Sequence, residues 1–242
     1  MSTPDDPNIE DATLDADLAA WHWDDRRPKL SVLGPISLTA RGRAPTRRTS
    51  RVLEGVTYLA VHRDGVTREE LATDLGLNVM ASRALVSAAH WWLGDNPRTG
   101  RAHLPPSTER ADGLLWMEDV LLDADLFRRL RRRAMAEDED GIADLSAALN
   151  LVTGIPFDQH NPGRYGWLAQ TLLDYEYTHM IVDLAHLLIR HHLRTGQPAL
   201  AAAATRVALL ADSSRRLPPL DLVAAHAARV IMLRPSPSST SN

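Results

Sequence analysis

The chain has 242 residues, 44% of them hydrophobic and 24% charged, a composition typical of one or two globular domains. It contains no cysteine, so disulfides, thiolate nucleophiles and Cys-ligated metal sites are excluded, and its net charge of −4 excludes a globally basic nucleic-acid binder. Because no apolar run is long enough to span a bilayer and the N-terminus has no signal-like pattern, we expect a soluble, cytoplasmic protein without a membrane partner.

The charge is distributed unevenly along the chain. Residues 1–27 hold eight acidic and two basic residues, whereas residues 28–66 hold seven basic and two acidic residues. The acidic segment is predicted to be a disordered tail. In the alternative, its two aromatic residues, Trp21 and Trp23, dock on a partner, or the segment folds back on the basic stretch. A local nucleic-acid-binding patch would lie in residues 28–66.

Residues 28–120 have the pattern of a winged helix-turn-helix. KLSVLGPISLTA (29–40) predicts one or two short strands. Three helices follow, over residues 47–62, 68–75 and 81–93. Thr67 and Glu70 have the capping-box spacing at the start of the second helix. The segment 101–120 carries an Asp-Gly turn between apolar residues and predicts a β-hairpin, which would be the wing.

After Leu122 the pattern is helical and no strand is predicted. The predicted helices cover residues 123–135, 142–152, 165–193, 198–210 and 220–232. The long pattern 165–193 has no proline and would span roughly 45 Å as one helix. The segment 186–210 resembles a tetratricopeptide unit, because a helix is followed by Gly196 at a turn and then by an Ala-rich helix. The small residues expected where these helices cross are Ala201, Ala204 and Ala208.

The predicted fold class is therefore mainly α. A winged helix-turn-helix, α with a small β-hairpin, covers residues 28–120. An all-α, tetratricopeptide-like helical repeat domain covers residues 121–234. Residues 235–242, with the sequence PSPSSTSN, are predicted to be a second disordered tail.

Several motifs carry a resemblance to known families. They are VLGP (32–35), YLAVH (58–62), GVTREELATDLG (65–76), WWLG (91–94), DADLF (123–127), SAALNLVTGIPF (146–157), RYGW (164–167) and HMIVDLAH (179–186). On these motifs, residues 29–120 resemble a winged-helix DNA-binding domain of response-regulator type. Residues 121–232 resemble the bacterial transcriptional activator domain (BTAD).

The order of the two regions is similar to that of actinobacterial antibiotic-regulatory-protein activators. The later motifs also look like the C-terminal module of actinobacterial BTAD proteins that often carry a LysM domain. The resemblance implies a DNA-binding transcription regulator whose third helix binds double-stranded DNA. It also implies a helical-repeat domain that contacts itself or a protein partner.

The third predicted helix carries candidate DNA contacts of its own. Its outward face presents Arg83, Ser87 and His90 at i, i+4 and i+7, with Trp91 beside them. Arg83 is placed to pair with guanine, and Ser87 or His90 to contact phosphate. Further phosphate contacts are predicted from the loop and first helix (Arg41, Arg43, Arg47, Arg48, Arg51) and from the wing (Arg98, Arg101, Arg110). In the alternative function, the chain is a protein–protein interaction scaffold whose winged helix has lost DNA binding.

The sequence contains no catalytic motif, so we predict neither an enzyme nor a cofactor. The best constellation is Glu176, His179, Asp183 and His186, which share one helical face with a Glu-x-x-His spacing. A di-iron site needs a second such motif, which the chain lacks, so no metal site is predicted and ion pairs along the helix are favoured instead.

Two other groups of residues are interpreted as structural. Arg128 to Arg133 form a second candidate nucleic-acid patch, but a solvated helix balanced by the acidic residues Glu137 to Asp140 is favoured. The other group, consisting of Arg164, Tyr165 and Trp167, is predicted to anchor the long helix to the rest of the repeat domain.

Overall fold

The computed structural model describes residues 11–109, 111–136, 141–158 and 163–212. These residues form a mainly helical fold with one small three-stranded sheet, which confirms the fold class at that level. The helices are α1 (Leu14–Trp23), α2 (Thr49–Val61), α3 (Arg68–Asp74), α4 (Val79–Leu93), α5 (Asp123–Ala136), α6 (Ile142–Asn150), α7 (Leu168–Thr171), α8 (Leu173–Arg194) and α9 (Pro198–Ala211). The strands are β1 (Lys29–Ser31), β2 (Ser37–Thr39) and β3 (Leu121–Leu122).

Some predictions lie outside the described residues. They are the helix over 220–232, the tail over 235–242 and the first ten residues of the acidic segment. Within the described ranges, no helix is both long and apolar enough to cross a membrane.

The three predicted helices of the N-terminal region are present. The capping box at α3 forms as expected, because the Thr67 hydroxyl accepts the Glu70 N–H at 3.1 Å and the Glu70 carboxylate accepts the Thr67 N–H at 2.8 Å. Helix α4 begins two residues earlier than predicted. Asn78 caps its first turn by accepting the N–H of Ala81 at 2.8 Å.

The predicted wing hairpin is wrong for the described residues between 101 and 120, which form no paired strands of their own. Two residues of this segment, Ala102 and Leu115, pair instead with residues before it, in the isolated bridges Asp95↔Ala102 and Val66↔Leu115. Between them lie Pro105 and Pro106, which have no N–H for a strand ladder, followed by a short 3₁₀ turn at Ser107–Glu109.

The predicted helix over 165–193 is also wrong, because the chain breaks it into α7 and α8. Leu172, between the two helices, has a left-handed φ of 54° and a side chain that is largely exposed. The side chains before the break, Trp167 and Leu168, are buried in the core. The packing of these side chains thus turns the chain, and α8 alone has 22 residues, about 33 Å.

Helices α8 and α9 pack against each other as an antiparallel pair joined at Gly196, which has a φ of +69°. Ala201, Ala204 and Ala208 are buried, as predicted for small residues at a helix crossing. Their size lets the two backbones approach closely.

The acidic N-terminal segment is not a disordered tail over residues 11–27, so that prediction is corrected for the described part. Leu14 of α1 is fully buried, and Arg129 of α5 binds Asp11 bidentately at 2.5 and 2.8 Å and Asp17 at 2.7 Å. Arg133 adds an ion pair to Asp15 at 2.8 Å. The segment folds back on α5 and not on the basic residues 28–66.

A buried carboxylate connects the two predicted domains. Asp123, the first residue of α5, is 1% exposed and accepts the N–H groups of Val32 at 2.9 Å and Leu33 at 3.0 Å, as well as that of Ala124 at 2.7 Å. Burial raises the pKa of Asp123 to about 7, although these N–H donors favour its charged form. Strand β1 pairs antiparallel with β2 and parallel with β3, so residues on both sides of the predicted boundary at 120/121 share one sheet and one core.

Replacement of Asp123 by asparagine will destabilise the fold. The amide NH₂ must face at least one backbone N–H that the carboxylate now satisfies, so we expect Asp123→Asn to lower the free energy of unfolding by about 1–3 kcal/mol. Denaturant unfolding of the two proteins measures the loss. Asp174→Asn, in the first turn of α8, is the matched control, and equal stabilities of the two variants would contradict the assignment.

Docking of α1 will depend on the charge of its aspartates. The Arg129 hydrogen bond lowers the pKa of Asp11; burial opposes ionisation of Asp17, but hydrogen bonds from Arg27 and Arg129 outweigh it and lower the pKa of Asp17. Carboxyls with lowered pKa stabilise the docked state above about pH 4 and lose that contribution as the pH falls through their native pKa values. Hydrogen exchange of residues 14–23, corrected for intrinsic rates, will therefore lose protection on acidification.

At neutral pH, Arg129→Ala will reproduce the loss of α1 protection. Arg128→Ala is the control, because Arg128 is more exposed and the ion pair that it forms with Asp125 is long at 3.9 Å. Unchanged protection in Arg129→Ala would show that burial of Leu14 alone holds α1 in place.

Candidate nucleic-acid interface

The outer face of α4 is free of cover from the described part of the chain. Arg83 and Ser87 are exposed, as predicted, and Leu85, Ala89 and Trp92 on the opposite side are buried against the core. Met80 near the start of the helix and Trp91 near its end are also largely exposed. The exposed stripe from Met80 to Trp91 is about 16 Å long.

A basic loop, residues 41–48, packs against the C-terminal end of α4. At one end, the Arg43 N–H donates to the carbonyl of Trp91 at 2.8 Å, in the last turn of α4. At the other end, α2 begins, and its Arg51 side chain donates to the carbonyl of Leu75, in the turn that precedes α4. Four side chains of this loop are exposed and have no ion pair with a described carboxylate: Arg41, Arg43, Arg47 and Arg48. They lie where the sequence analysis expected phosphate contacts.

The other side of α4 borders a cleft formed with residues 104–108. The Nδ1–H of His90 donates to the carbonyl of Leu104 at 2.9 Å, which attaches this segment to the helix. His90 is half-buried by the contact and less available to a ligand than Arg83 and Ser87.

Three predicted DNA contacts are engaged within the protein. Arg51 pairs with the buried Glu54 at 2.5 Å, Arg98 pairs with Asp119 at 2.5 Å, and Arg101 pairs with Glu109 at 3.0 Å. Because these carboxylates compensate the guanidinium charges, the three arginines are less available to a phosphate than the arginines of the basic loop, and their predicted DNA contacts stay predictions. Arg110 lies outside the described residues.

Glu54 joins α2 to the segment before α7. Its side chain is 1% exposed and accepts the backbone N–H of Tyr165 at 2.7 Å, with Arg164 at 3.9 Å. Trp167 stacks edge-on against Tyr58 of α2, with ring centroids 5.3 Å apart. The RYGW motif therefore packs against α2 of the N-terminal region, whereas we predicted that it anchors the long helix to the rest of the repeat domain.

Two of the five arginines of α5 are engaged within the protein. Arg129 and Arg133 bind the aspartates of α1, and Arg133 also binds Asp144 of α6 bidentately at 2.5 and 2.8 Å. The acidic residues 137–140, which we expected to balance this helix, lie outside the described residues. The balancing charges that the structure describes come from α1 and α6.

The acidic and histidine residues of α8 form one ion pair, between His179 and Asp183 at 3.1 Å, with both side chains about half exposed. Among the described residues, no group of three or more His, Asp or Glu side chains is arranged to hold a metal ion.

Comparison of the chain with protein-family models, with curated proteins and with solved structures gives no match. The BTAD resemblance and the function that it implies stay predictions.

Sequence reasoning missed two features of this interface. The exposure of Val79 and Met80 was not predicted. The available signal was their position, directly after the capping residue Asn78 and before the apolar residues that face the core from α4. Sequence reasoning also overlooked Arg68, which lines the cleft beside Arg83. Its position directly after the capping residue Thr67 was the available signal.

The basic loop requires glycine at position 42. A Cβ atom there would overlap the carbonyl oxygens of Trp91 and Trp92 at the end of α4. We expect Gly42→Ala to lower the free energy of unfolding by about 1–3 kcal/mol through this steric overlap. Gly166→Ala is the control, since a Cβ at Gly166 meets nothing within 4 Å. Equal denaturation midpoints for both variants would contradict the close approach of loop and helix.

Proposed function

We propose that the chain binds double-stranded DNA as a transcription regulator, with α4 in the major groove. The observation that carries the proposal is the uncovered face of α4, with Arg83 and Ser87 at its centre and the unpaired arginines of the basic loop beside it. A helix with its side chains is about 10–12 Å across, and the major groove is about 12 Å wide.

In this proposal, residues 28–120 form a winged helix-turn-helix whose wing is reduced. Helices α2 and α3 support α4 from behind, as in helix-turn-helix proteins. The segment 104–108 takes the position of the wing without a hairpin. Arg83 reads a base edge, and the basic loop contacts the phosphates of one strand.

Residues 121–234 form a tetratricopeptide-like, BTAD-like region in the same proposal. The close α8–α9 pair with its buried alanines supports this reading. Helix α9 also exposes Leu200, Leu209 and Leu210 by about half each, which favours contact with a second copy or a protein partner.

Binding will be electrostatic and will depend on the basic loop. A fluorescently labelled pool of random duplexes, titrated with the full chain at several salt concentrations, gives affinity and its salt slope by anisotropy. The double variant Arg47→Ala/Arg48→Ala will lower the slope of log K against log salt by about 0.9 for each phosphate that the loop no longer neutralises. Arg83→Ala will weaken binding and also broaden the set of sequences recovered by selection, because the contact that distinguishes one base is lost.

Arg101→Ala is the matched control for these variants. Arg101 is as exposed as a typical surface arginine but is paired with Glu109, so its removal should leave affinity within about twofold of wild type. If the full chain binds no duplex of the pool even at low salt, the proposal is overturned.

The second candidate is the interaction scaffold without DNA binding. The neutralised arginines at 98 and 101 and the exposed leucines of α9 favour it. Light scattering distinguishes the two: an assembly that is lost on Leu209→Ser/Leu210→Ser, in a protein that retains no duplex, supports the scaffold.

A further inference from the structure

The cleft between α4 and residues 104–108 has a volume of about 460 Å³ and an unusual charge balance. Its polar lining consists of two arginines, Arg68 and Arg83, the half-buried His90 and three hydroxyl residues: Ser87, Ser107 and Thr108. Val86, Leu104, Pro105 and Pro106 form most of the apolar part. No carboxylate of the described residues lines it.

The two guanidinium groups are uncompensated within the described residues. Neither Arg68 nor Arg83 forms an ion pair with a described carboxylate. The carboxylate of the neighbouring Glu70 is engaged in the capping box with Thr67, and it does not line the cleft. Two like charges around one cleft repel each other unless an anion lies between them.

A second cavity of the same protein shows the opposite arrangement. Its volume is about 300 Å³, and three arginines and three aspartates line it. Each of these arginines is paired, as Arg27 with Asp17 at 2.6 Å, Arg63 with Asp125 at 2.9 Å and Arg129 with Asp17 at 2.7 Å. In this second cavity, carboxylates from the chain itself neutralise the arginines.

We propose that the cleft binds a phosphate group, with Arg68 and Arg83 as the charged donors and the hydroxyls as neutral ones. Guanidinium groups match phosphate oxygens bidentately, and serine and threonine hydroxyls complete such sites. Arg83 stands at the rim, between the exposed face of α4 and the cleft. Arg68 is the residue that this inference adds to the interface.

The same chemistry is offered by a phosphodiester of DNA and by a free phosphate. The first source rests on the proposed function, because a strand flanking the groove that holds α4 would lie across the cleft. The second source is independent of it. The pyrrolidine rings of Pro105 and Pro106 would then cover an apolar part of a phosphorylated small molecule.

The test uses the full chain, a pool of random duplexes and inorganic phosphate. Arg68→Gln removes the charge and keeps much of the side-chain length; Arg132→Gln, an exposed arginine of α5, is the matched control. Duplex affinity is measured by anisotropy at several salt concentrations. Phosphate binding is measured as the shift of the unfolding midpoint against chloride at equal ionic strength.

If DNA supplies the phosphate, Arg68→Gln lowers duplex affinity about five- to tenfold at low salt and reduces the salt slope by about 0.9, while Arg132→Gln changes neither. If free phosphate is the ligand, it raises the midpoint of the wild type and of Arg132→Gln but not of Arg68→Gln, whether or not a duplex binds. Arg83→Gln repeats either result should Arg68→Gln prove less stable than the wild type.

Equal behaviour of Arg68→Gln and Arg132→Gln toward both probes overturns the inference. The proposed function then still stands if Arg47→Ala/Arg48→Ala weakens duplex binding. A chain that binds neither probe overturns both, and a phosphate shift without duplex binding overturns the proposed function alone.

Discussion

The carboxylate of Asp123 holds the fold together at its centre. A buried charge is costly unless hydrogen bonds replace its water, and here backbone N–H groups of α5 and of the segment that continues β1 do so. These hydrogen bonds restrict the position of β1. The N–H groups of Val32 and Leu33, which follow β1, must reach the start of α5. The parallel pairing with β3, the antiparallel pairing with β2 and the position of α5 follow from this one arrangement.

The position of α5 in turn determines which arginines remain available to a ligand. Its Arg129 and Arg133 form ion pairs with Asp11 and Asp15 of the N-terminal segment, so these charges neutralise one another. At the α4 face, by contrast, no described carboxylate forms an ion pair with Arg83 or with the arginines of the basic loop. A chain with a net negative charge therefore presents a locally positive surface beside α4, which is what association with a polyanion requires.

Local signals in the sequence predicted the helices well. The capping box at Thr67, the apolar spacing of α4 and the alanines of α9 are each decided within a few residues, and all three appear in the structure. The N-terminal segment was misjudged because its order comes from arginines more than a hundred residues away. Strand β3 has only two residues, too few for a pattern, and Leu172 breaks a helix through packing on either side of it.

In the candidate interface, too, local features could be predicted from the sequence and long-range contacts could not. Arg83 and Ser87 could be assigned to an outward face because helical periodicity alone decides it. The pairing of Arg98 with Asp119 could not be predicted, since the two residues are brought together only by the fold, whereas the pairing of Arg51 with Glu54 has the i, i+3 spacing of a helix and was available from the sequence. Arg68 and the cleft were missed for a related reason: the residues around the cleft come from four separate segments of the chain.

Glu54 gives the molecule a mechanical linkage. It holds the Tyr165 backbone on one side and Arg51 on the other, and Arg51 reaches the Leu75 carbonyl just ahead of α4. Glu54 and Arg51 thus connect the backbone at residue 165, in the C-terminal half, to the turn from which α4 starts.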